Sequence, residues 1–329
     1  MYKTGRLLLF VLGIISFSLF SCHSNKSSEE SQSGSATFKT PASIASFDAD
    51  SAYVFVQKQV DFGPRIPNTP AHAQCAAWLI AKMKSYCDSV TIQRTKVSTH
   101  GNTYDCINII GHFNPGNTTR ILVLAHWDTR PFADAVPATA HEHFDGADDG
   151  GSGVADILEI ARQLHIKKTT IGVDLFLTDV EDAGINGDDN SWGLGTQYWA
   201  NQAKASGYHA QYGILLDMVG GKGSHFYREG FTKQFAGPQS LMVWNMGNSI
   251  GHSDYFRYND LGGVEITDDH SFVNQIAGIP TMDIIALQGN GDFMPWHHTV
   301  NDNMKIIDKN TLKAVGQTVL QVLYDNPSY

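Results

Sequence analysis

The stretch Arg120-Ile121-Leu122-Val123-Leu124-Ala125-His126-Trp127-Asp128 joins an uninterrupted apolar run to polar residues placed just past its end. An apolar run without alternation is typical of a strand that is buried on both faces, as in a parallel sheet. The same arrangement recurs where residues 173–177 precede Glu181-Asp182, and where residues 212–216 precede Asp217. In open α/β sheets, ligands bind outside the carboxyl ends of the strands, so these polar residues are expected to converge.

Two further polar segments, Asp148-Asp149 and Trp296-His297-His298, complete the set. Histidine combined with carboxylates is the ligand set of a catalytic zinc site, which leaves one position for water or substrate. An acidic residue at a strand end more often contacts solvent or caps a helix. The combination of five such segments nevertheless predicts a zinc enzyme.

Strand patterns alternate with helical patterns along the chain, which predicts an α/β fold with a three-layer α/β/α sandwich. Its central sheet is expected to be mixed and mostly parallel. Strands are predicted at residues 90–97, 104–110, 121–125, 173–177, 212–216 and 279–286, and helices at 50–60, 70–84, 150–165, 195–205 and 308–323. The glycine run 150–153 lacks the phosphate-loop pattern and is better explained by close packing of a helix on a strand.

The N-terminus has the layout of a secretory signal peptide, with Lys3 and Arg6 before an apolar stretch that is short for a membrane span. Leu19-Phe20-Ser21-Cys22 resembles a bacterial lipobox, which would make Cys22 a lipidated first residue; an ordinary signal sequence is the alternative. We expect residues 1–22 to be a lipoprotein signal peptide, 23–43 a flexible tether, and 44–329 a single catalytic domain. The expected location is the bacterial periplasm or cell envelope, with a lipid anchor, most simply in the outer membrane.

The formal net charge of −10 argues against nucleic acid as a partner, and the only membrane contact we expect is the N-terminal lipid. Cys75, Cys87 and Cys106 have neither zinc-binding nor redox spacing. An oxidising compartment would permit one disulfide among them, without indicating which pair.

The motifs resemble those of the zinc aminopeptidase superfamily and, within it, the animal-type glutaminyl cyclases. The likeness runs from about residue 60 to 303. It rests on the segments already quoted together with Phe62-Gly63-Pro64-Arg65-Ile66-Pro67, Asn108-Ile109-Ile110, Gly146-Ala147-Asp148-Asp149 and Asp268-Asp269-His270.

The resemblance implies an enzyme that converts the N-terminal glutamine of peptides or proteins to pyroglutamate and releases ammonia. It implies one Zn²⁺ per chain, held by Asp149, Asp182 and His298. Asp182 stands where the animal enzymes usually have Glu, and His297 is the neighbour that could replace His298.

The resemblance also implies roles for the residues around the metal. Glu181 is the expected general base and then acid, and Asp217 and Asp269 are expected to share protons with it. Asp268 is the alternative to Asp269. Trp192 is expected to pack against the glutamine side chain, and Trp296 is the second aromatic candidate for substrate binding.

Two other functions stay open at this point. In a two-zinc aminopeptidase, His126, Asp128 and Asp217 would serve a second metal, whereas in a cyclase His126 and Asp128 would be structural remnants. A non-catalytic peptide-binding lipoprotein is disfavoured by the intact Glu181-Asp182 pair. The oxygen-rich segment 186–190 could bind calcium, but it lacks the EF-hand pattern, so we interpret it as a solvated turn.

Overall fold

The computed structural model describes residues 40–327, and its central feature is a six-stranded sheet in the order β1-β2-β4-β3-β5-β6. The strands are β1 (Ser89–Thr99), β2 (Asn102–Phe113), β3 (Arg120–His126), β4 (Gly172–Thr178), β5 (Tyr212–Asp217) and β6 (Thr281–Ile285). The helices are α1 (Ala49–Val60), α2 (Pro70–Tyr86), α3 (Gly151–Ile166), α4 (Leu194–Ser206), α5 (Gly230–Ser249), α6 (Asp269–Phe272) and α7 (Lys309–Asp325).

Strands β4, β3, β5 and β6 run parallel, whereas β1 pairs with β2 and β2 pairs with β4 in antiparallel fashion. The predicted mixed, mostly parallel sheet is therefore confirmed. Parallel neighbours place their carboxyl ends at one edge, which is where the polar segments follow the strands.

Strand β3 shows how the apolar run produces three layers. Ile121, Val123 and Ala125 belong to the large core beneath α1, α3 and α7. Leu122 and Leu124 point into a second core that contains Trp199 of α4. Because successive side chains of a strand face opposite sides, an apolar run buries both faces of the sheet and needs helices on each.

Helix α3 approaches the sheet too closely for ordinary side chains at its first turn. Gly150 has φ +74°, and a Cβ atom on Gly153 would lie 2.1 Å from the main-chain oxygen of Leu216. The glycine run therefore serves close packing of a helix on a strand, as the sequence predicted.

Helix α5 was not predicted from the sequence. It contains Pro238, and at Ala236 its backbone leaves the helical region (φ −129°, ψ 34°). The internal proline and neighbouring Gly237 hide its periodicity, although Glu229 caps it by accepting hydrogen bonds from the main-chain N–H groups of Phe231 and Thr232.

Cys75, Cys87 and Cys106 are all free thiols, so none of the pairings permitted by the sequence is present. Between residues 40 and 327, every helix is too short or too polar to cross a membrane. Cys22, the lipobox and all but the last residues of the expected tether lie outside the described residues, so these stay predictions.

Candidate metal centre and active site

The polar segments of the five-part pattern meet at the carboxyl edge of the parallel strands. His126 and Asp217 are the last residues of β3 and β5, and Glu181-Asp182 follows the end of β4. Asp149 immediately precedes the glycine turn into α3, and His298 comes from the loop after β6. Residues up to 172 positions apart in sequence therefore share one site, as the fold rule predicts.

His298 lies between two of the carboxylates expected to bind zinc. Its Nε2 atom is 3.2 Å from Asp182 Oδ1 and 3.4 Å from Asp149 Oδ2. Asp149 Oδ2 is buried and has no hydrogen-bond partner among the described residues. An unpaired buried carboxylate oxygen beside an imidazole and a second carboxylate fits a divalent metal, since burying a carboxylate unpaired is costly.

Asp149 also lies close to His126 and Asp217, two residues that could hold a second metal beside the first. His126 Nε2 is 3.1 Å from Asp149 Oδ1 and 3.3 Å from Asp217 Oδ1. His126, Asp149 and Asp217 can therefore form a metal-binding group too. The complete ligand set of a two-metal enzyme is assembled around Asp149, but His126 does not line the open cavity.

His297 also lies near Asp149, within a third possible group that includes His298. Its ring is stacked between Phe293, with centroids 4.1 Å apart, and His298, at 3.6 Å. Burial and the charge of His298 lower the pKa of His297 to about 3, which keeps it neutral. His298 differs from it in the direct contact with Asp182.

Two further aspartates hold the loops that carry the ligands. The carboxylate of Asp128 accepts the main-chain N–H groups of Glu181 at 3.0 Å and Asp182 at 3.2 Å. Asp302 accepts those of Asp148 at 2.7 Å and Asp149 at 3.1 Å. Asp128 thus positions the acidic pair, and its nearest approach to His126 is 3.6 Å, at Nδ1 rather than at the nitrogen facing the cluster. The role of Asp302 was missed because nothing near it in sequence signals a metal site.

Three non-glycine residues beside the ligands adopt the left-handed backbone region. They are Val180 (φ 56°), Met218 (φ 48°) and His298 itself (φ 52°). This conformation is unfavourable for side chains with a Cβ atom, most of all for β-branched valine, and such strain concentrates at functional sites. Val180 and Met218 lie just past the ends of β4 and β5, whereas His298 lies within the loop that follows β6.

A cavity of about 450 Å³ opens onto the metal-binding cluster. Glu181 is on its wall, where burial and then the charge of Asp268 raise the pKa of its carboxyl well above the ordinary value. Burial and the charge of Asp149 likewise raise the pKa of Asp217. The other lining residues are Asp134, Ala135, Asp149, Asp182, Asn186, Gly187, Asp189, Trp192, Glu265, Ile266, Thr267, Ile285, Phe293, His297 and His298.

Asp268, rather than Asp269, faces this cavity. Among the described residues, Asp268 Oδ2 and Asp269 Oδ1 are both buried without a hydrogen-bond partner, but the charge of Asp268 raises the pKa of Glu181 more than that of Asp269 does. Asp269 lies behind the wall, where it accepts a hydrogen bond from the Thr178 hydroxyl at 2.5 Å. Asp268, the alternative that the sequence left open, therefore lines the cavity, and the proton-sharing role of either aspartate stays a prediction.

Trp192 lines the cavity, with its ring nearly parallel to that of His298 at 9° and 6.3 Å. The guanidinium carbon of Arg130 lies 4.9 Å from the centroid of the Trp192 ring. Gly184 leaves room for the indole, because a Cβ atom at Gly184 would lie 2.1 Å from the ring. Trp296 is placed differently from the expectation: its indole N–H donates to Asp148 Oδ2 at 2.8 Å, and it does not line the cavity. The structure therefore gives Trp296 a supporting contact with Asp148, and its contact with substrate stays a prediction.

The segment 186–190 is a turn at the mouth of the cavity. Asp188 accepts a hydrogen bond from the main-chain N–H of Asn190, and its other carboxylate oxygen lies 2.9 Å from His100 Nε2. Both carboxylate oxygens of Asp188 therefore have partners within the protein.

Comparison with known proteins agrees with this geometry. The model of peptidase family M28 matches residues 108–323, and the chain belongs to that family. Among solved structures, the chain is similar to the glutaminyl cyclase of Porphyromonas gingivalis, with 48% identity, 85% of this chain and 99% of that chain covered, and a TM-score of 0.82. The predicted resemblance to glutaminyl cyclases is thereby confirmed.

A Zn-dependent exopeptidase from Parabacteroides distasonis is similar as well, with 43% identity, 86% and 100% of the two chains covered, and a TM-score of 0.82. The chain is also 26% identical over 227 residues to aminopeptidase YwaD of Bacillus subtilis, a match that covers 66% of this chain. The chain spans about half the length of the curated relatives it matches, 44% and 47% for the first two. The zinc dependence of the Parabacteroides distasonis exopeptidase agrees with the carboxylate and histidine side chains that surround Asp149.

Proposed function

We propose that this protein is a glutaminyl-peptide cyclotransferase that cyclises the N-terminal glutamine of peptides or proteins and releases ammonia. The observation that carries the proposal is the position of Glu181, on the cavity wall beside Asp149, Asp182, His298 and the indole of Trp192. The similarity to solved glutaminyl cyclases at 48% identity supports it.

In this reaction the substrate supplies its own nucleophile, because its α-amine attacks its side-chain carbonyl carbon. The protein must therefore fold the glutamine back on itself and move protons. The flat face of Trp192 suits the methylene stem of glutamine. Such a cavity accommodates one side chain and its main-chain amine, which fits a substrate that enters by its N-terminus.

Glu181 performs the proton transfers. It accepts a proton from the attacking amine and delivers one to the departing ammonia. Its raised pKa makes the carboxylate a stronger base toward the amine proton. Asp268 and Asp217 line the same cavity, and burial raises their pKa values too, so we propose them as the groups that exchange protons with Glu181.

We infer one zinc per chain, with Asp149, Asp182 and His298 as its ligands. Bound there, zinc would act as a Lewis acid toward the γ-carbonyl of the glutamine. Asp182 provides the shorter carboxylate where the animal enzymes usually have Glu, and Arg130 supports it through its main-chain N–H at 3.1 Å.

The alternative is an aminopeptidase with two metals, and one observation favours it: His126 and Asp217 still converge on Asp149. Against it, His126 is fully enclosed, and its Nε2 atom already lies within hydrogen-bonding distance of Asp149 and Asp217. A protonated His126 would supply the positive charge at that position. Burial alone would lower the pKa of His126, but its contacts with Asp128, Asp149 and Asp217 raise it well above the ordinary value.

We also propose that the protein is a lipoprotein of the bacterial cell envelope, attached through Cys22. The signal-peptide layout and the Leu19-Phe20-Ser21-Cys22 motif support this. Labelling with a lipid precursor tests it: the Cys22→Ser variant is expected to lose the label, and undiminished labelling would contradict the anchor.

The test of the reaction is to incubate the purified protein with Gln-Ala and follow ammonia, pyroglutamyl-Ala and free glutamine together. Ammonia and pyroglutamyl-Ala in equal amounts are the expected products. Free glutamine and alanine would establish the aminopeptidase instead, and unchanged dipeptide would leave only a peptide-binding role.

A further inference from the structure

The ionisable residues that line the catalytic cavity are mostly acidic. It contains eight carboxylates and two histidines, and among the described residues that form it there is no lysine or arginine. Five of the carboxylates, those of Asp149, Glu181, Asp182, Asp217 and Asp268, belong to the metal-binding cluster and its proton-sharing neighbours. The remaining three, Asp134, Asp189 and Glu265, lie farther out along the wall.

Asp134 is neutralised within the protein. Its two carboxylate oxygens accept hydrogen bonds from Arg130 Nε at 2.8 Å and Nη2 at 2.6 Å. A paired Arg–Asp unit presents little net charge to a substrate. The electrostatic character of the mouth therefore depends on Asp189 and Glu265.

Asp189 and Glu265 are exposed, and neither side chain has a hydrogen bond or ion pair with another residue between 40 and 327. They come from different loops: Asp189 precedes Trp192 by three residues, and Glu265 precedes Asp268 by three. Each lines the same cavity as the residue that it precedes, but is exposed. Deeper in the same cavity, Asp268 lines the wall, and its buried Oδ2 atom has no hydrogen-bond partner between residues 40 and 327.

Since Trp192, Asp189 and Glu265 line one cavity, we expect a peptide whose glutamine reaches Trp192 to place its second and third residues near the exposed Asp189 and Glu265. We propose that Asp189 and Glu265 are specificity-determining residues that favour substrates with lysine or arginine at the second or third position and disfavour acidic residues there. This inference rests on the proposed function. The preferred substrate class is a basic N-terminal peptide that begins with glutamine.

Opposite charges that stay in water attract only weakly, and salt screens them. The preference should therefore be moderate and should appear mainly in kcat/KM at low salt. Turnover of bound substrate depends on Glu181 and the inner cluster, so kcat should differ little between peptides.

The experiment compares Gln-Arg-Ala-NH2, Gln-Glu-Ala-NH2 and neutral Gln-Ala-Ala-NH2 with the full-length protein at about 20 mM and about 500 mM salt. We expect kcat/KM for the Arg peptide to exceed that for the Glu peptide about tenfold at low salt, and about twofold at high salt. In Asp189→Asn/Glu265→Gln, the low-salt ratio should fall to about two.

Asp61→Asn/Asp254→Asn is the matched control, since it removes the same charge from exposed positions outside the cavity. It should keep the full ratio. Equal kcat/KM values for the Arg and Glu peptides in the wild type, or a ratio that survives in Asp189→Asn/Glu265→Gln, would overturn the inference. Absence of cyclisation of all three peptides would instead contradict the proposed function itself.

Discussion

One buried acidic residue lies near the start of strand β4, and a cluster of buried acidic residues lies past its end. The negative charge of the two groups is balanced in different ways. Near its start, Asp174 is surrounded by donors: Arg120 Nε at 2.8 Å, His112 Nδ1 at 2.6 Å and the Tyr208 hydroxyl at 2.6 Å. Burial alone would raise the pKa of Asp174, but these hydrogen bonds lower it to about 2. This end of the sheet provides its own counter-charge.

Past the other end of β4, the carboxylates outnumber the cationic groups. Burial, followed by mutual repulsion, raises the pKa values of Glu181, Asp182, Asp217 and Asp268. Proteins tolerate such crowding where a bound cation supplies the missing charge or where protons are exchanged. From this contrast we infer that the cluster around Asp174 stabilises the fold. The cluster around Glu181 and Asp182 is the one that would bind a metal and transfer protons.

The largest effect is expected when a proposed ligand is removed from the second cluster. Asp182→Ala should lose the bound zinc and reduce turnover of a Gln peptide by more than about 10,000-fold, because the electrophile is lost with the metal. Metal analysis and an ammonia assay measure both. Asp188→Ala, on the neighbouring turn, is the control and should keep zinc and activity; a zinc-replete, active Asp182→Ala would exclude Asp182 as a ligand.

The next effect separates proton transfer from metal binding. Glu181→Gln keeps the shape of the side chain but cannot accept the amine proton, so kcat should fall about 1000-fold. Zinc content should be unchanged, since Glu181 is not a proposed ligand. Full activity in this variant would remove Glu181 from the mechanism.

A smaller effect is expected at His126, on the other side of Asp149. If His126 only orients Asp149, His126→Gln should lower kcat/KM about tenfold to hundredfold, the usual range for a residue that supports a ligand. The zinc content should stay at one per chain. A drop from two metals to one would instead identify His126 as a ligand and favour the aminopeptidase.

At the opposite end of β4, activity should be spared while stability falls. Asp174→Asn leaves the buried Arg120 guanidinium without its carboxylate, which should cost about 3 kcal/mol in the free energy of unfolding. The turnover number of the folded variant should equal that of the wild type. Urea unfolding measures the stability of the variant, and the ammonia assay measures its turnover number. Unchanged stability with lost activity would contradict a structural role for the cluster around Asp174.

The same aspartate predicts a pH dependence of stability. The folded-state pKa of Asp174 is about 2, below the ordinary value of 3.8, so its ionised form stabilises the protein above about pH 4. That contribution is lost as the pH falls toward 2. The stability difference between wild type and Asp174→Asn should therefore be constant above about pH 4 and shrink below it; a constant difference down to about pH 2 would contradict the lowered pKa.

Much of the fold could be predicted because its strands are buried on both faces. The apolar runs before His126, Glu181 and Asp217 have a single simple interpretation, and the strand-end rule then brings their polar residues together. Helix α5 escaped prediction because Pro238 and Gly237 interrupt its pattern.

The sequence does not show which way adjacent side chains point in the folded protein or which distant residues they contact, and this limited the prediction of the site. Asp268 and Asp269 are equivalent in sequence, and only the turn of α6 decides which faces the cavity. The support that Asp302 gives to Asp148 and Asp149 depends on a contact across more than 150 residues. Trp296 looked like an aromatic pocket residue, although its indole N–H is used by Asp148.

The most direct test of the central claim is a crystal structure of the zinc-loaded protein with anomalous scattering measured at the zinc edge. One peak between Asp149, Asp182 and His298, with His126 hydrogen-bonded to Asp149, is the predicted result. A second peak between His126, Asp149 and Asp217, or a single peak on His297 in place of His298, would contradict the one-metal centre proposed for this end of β4.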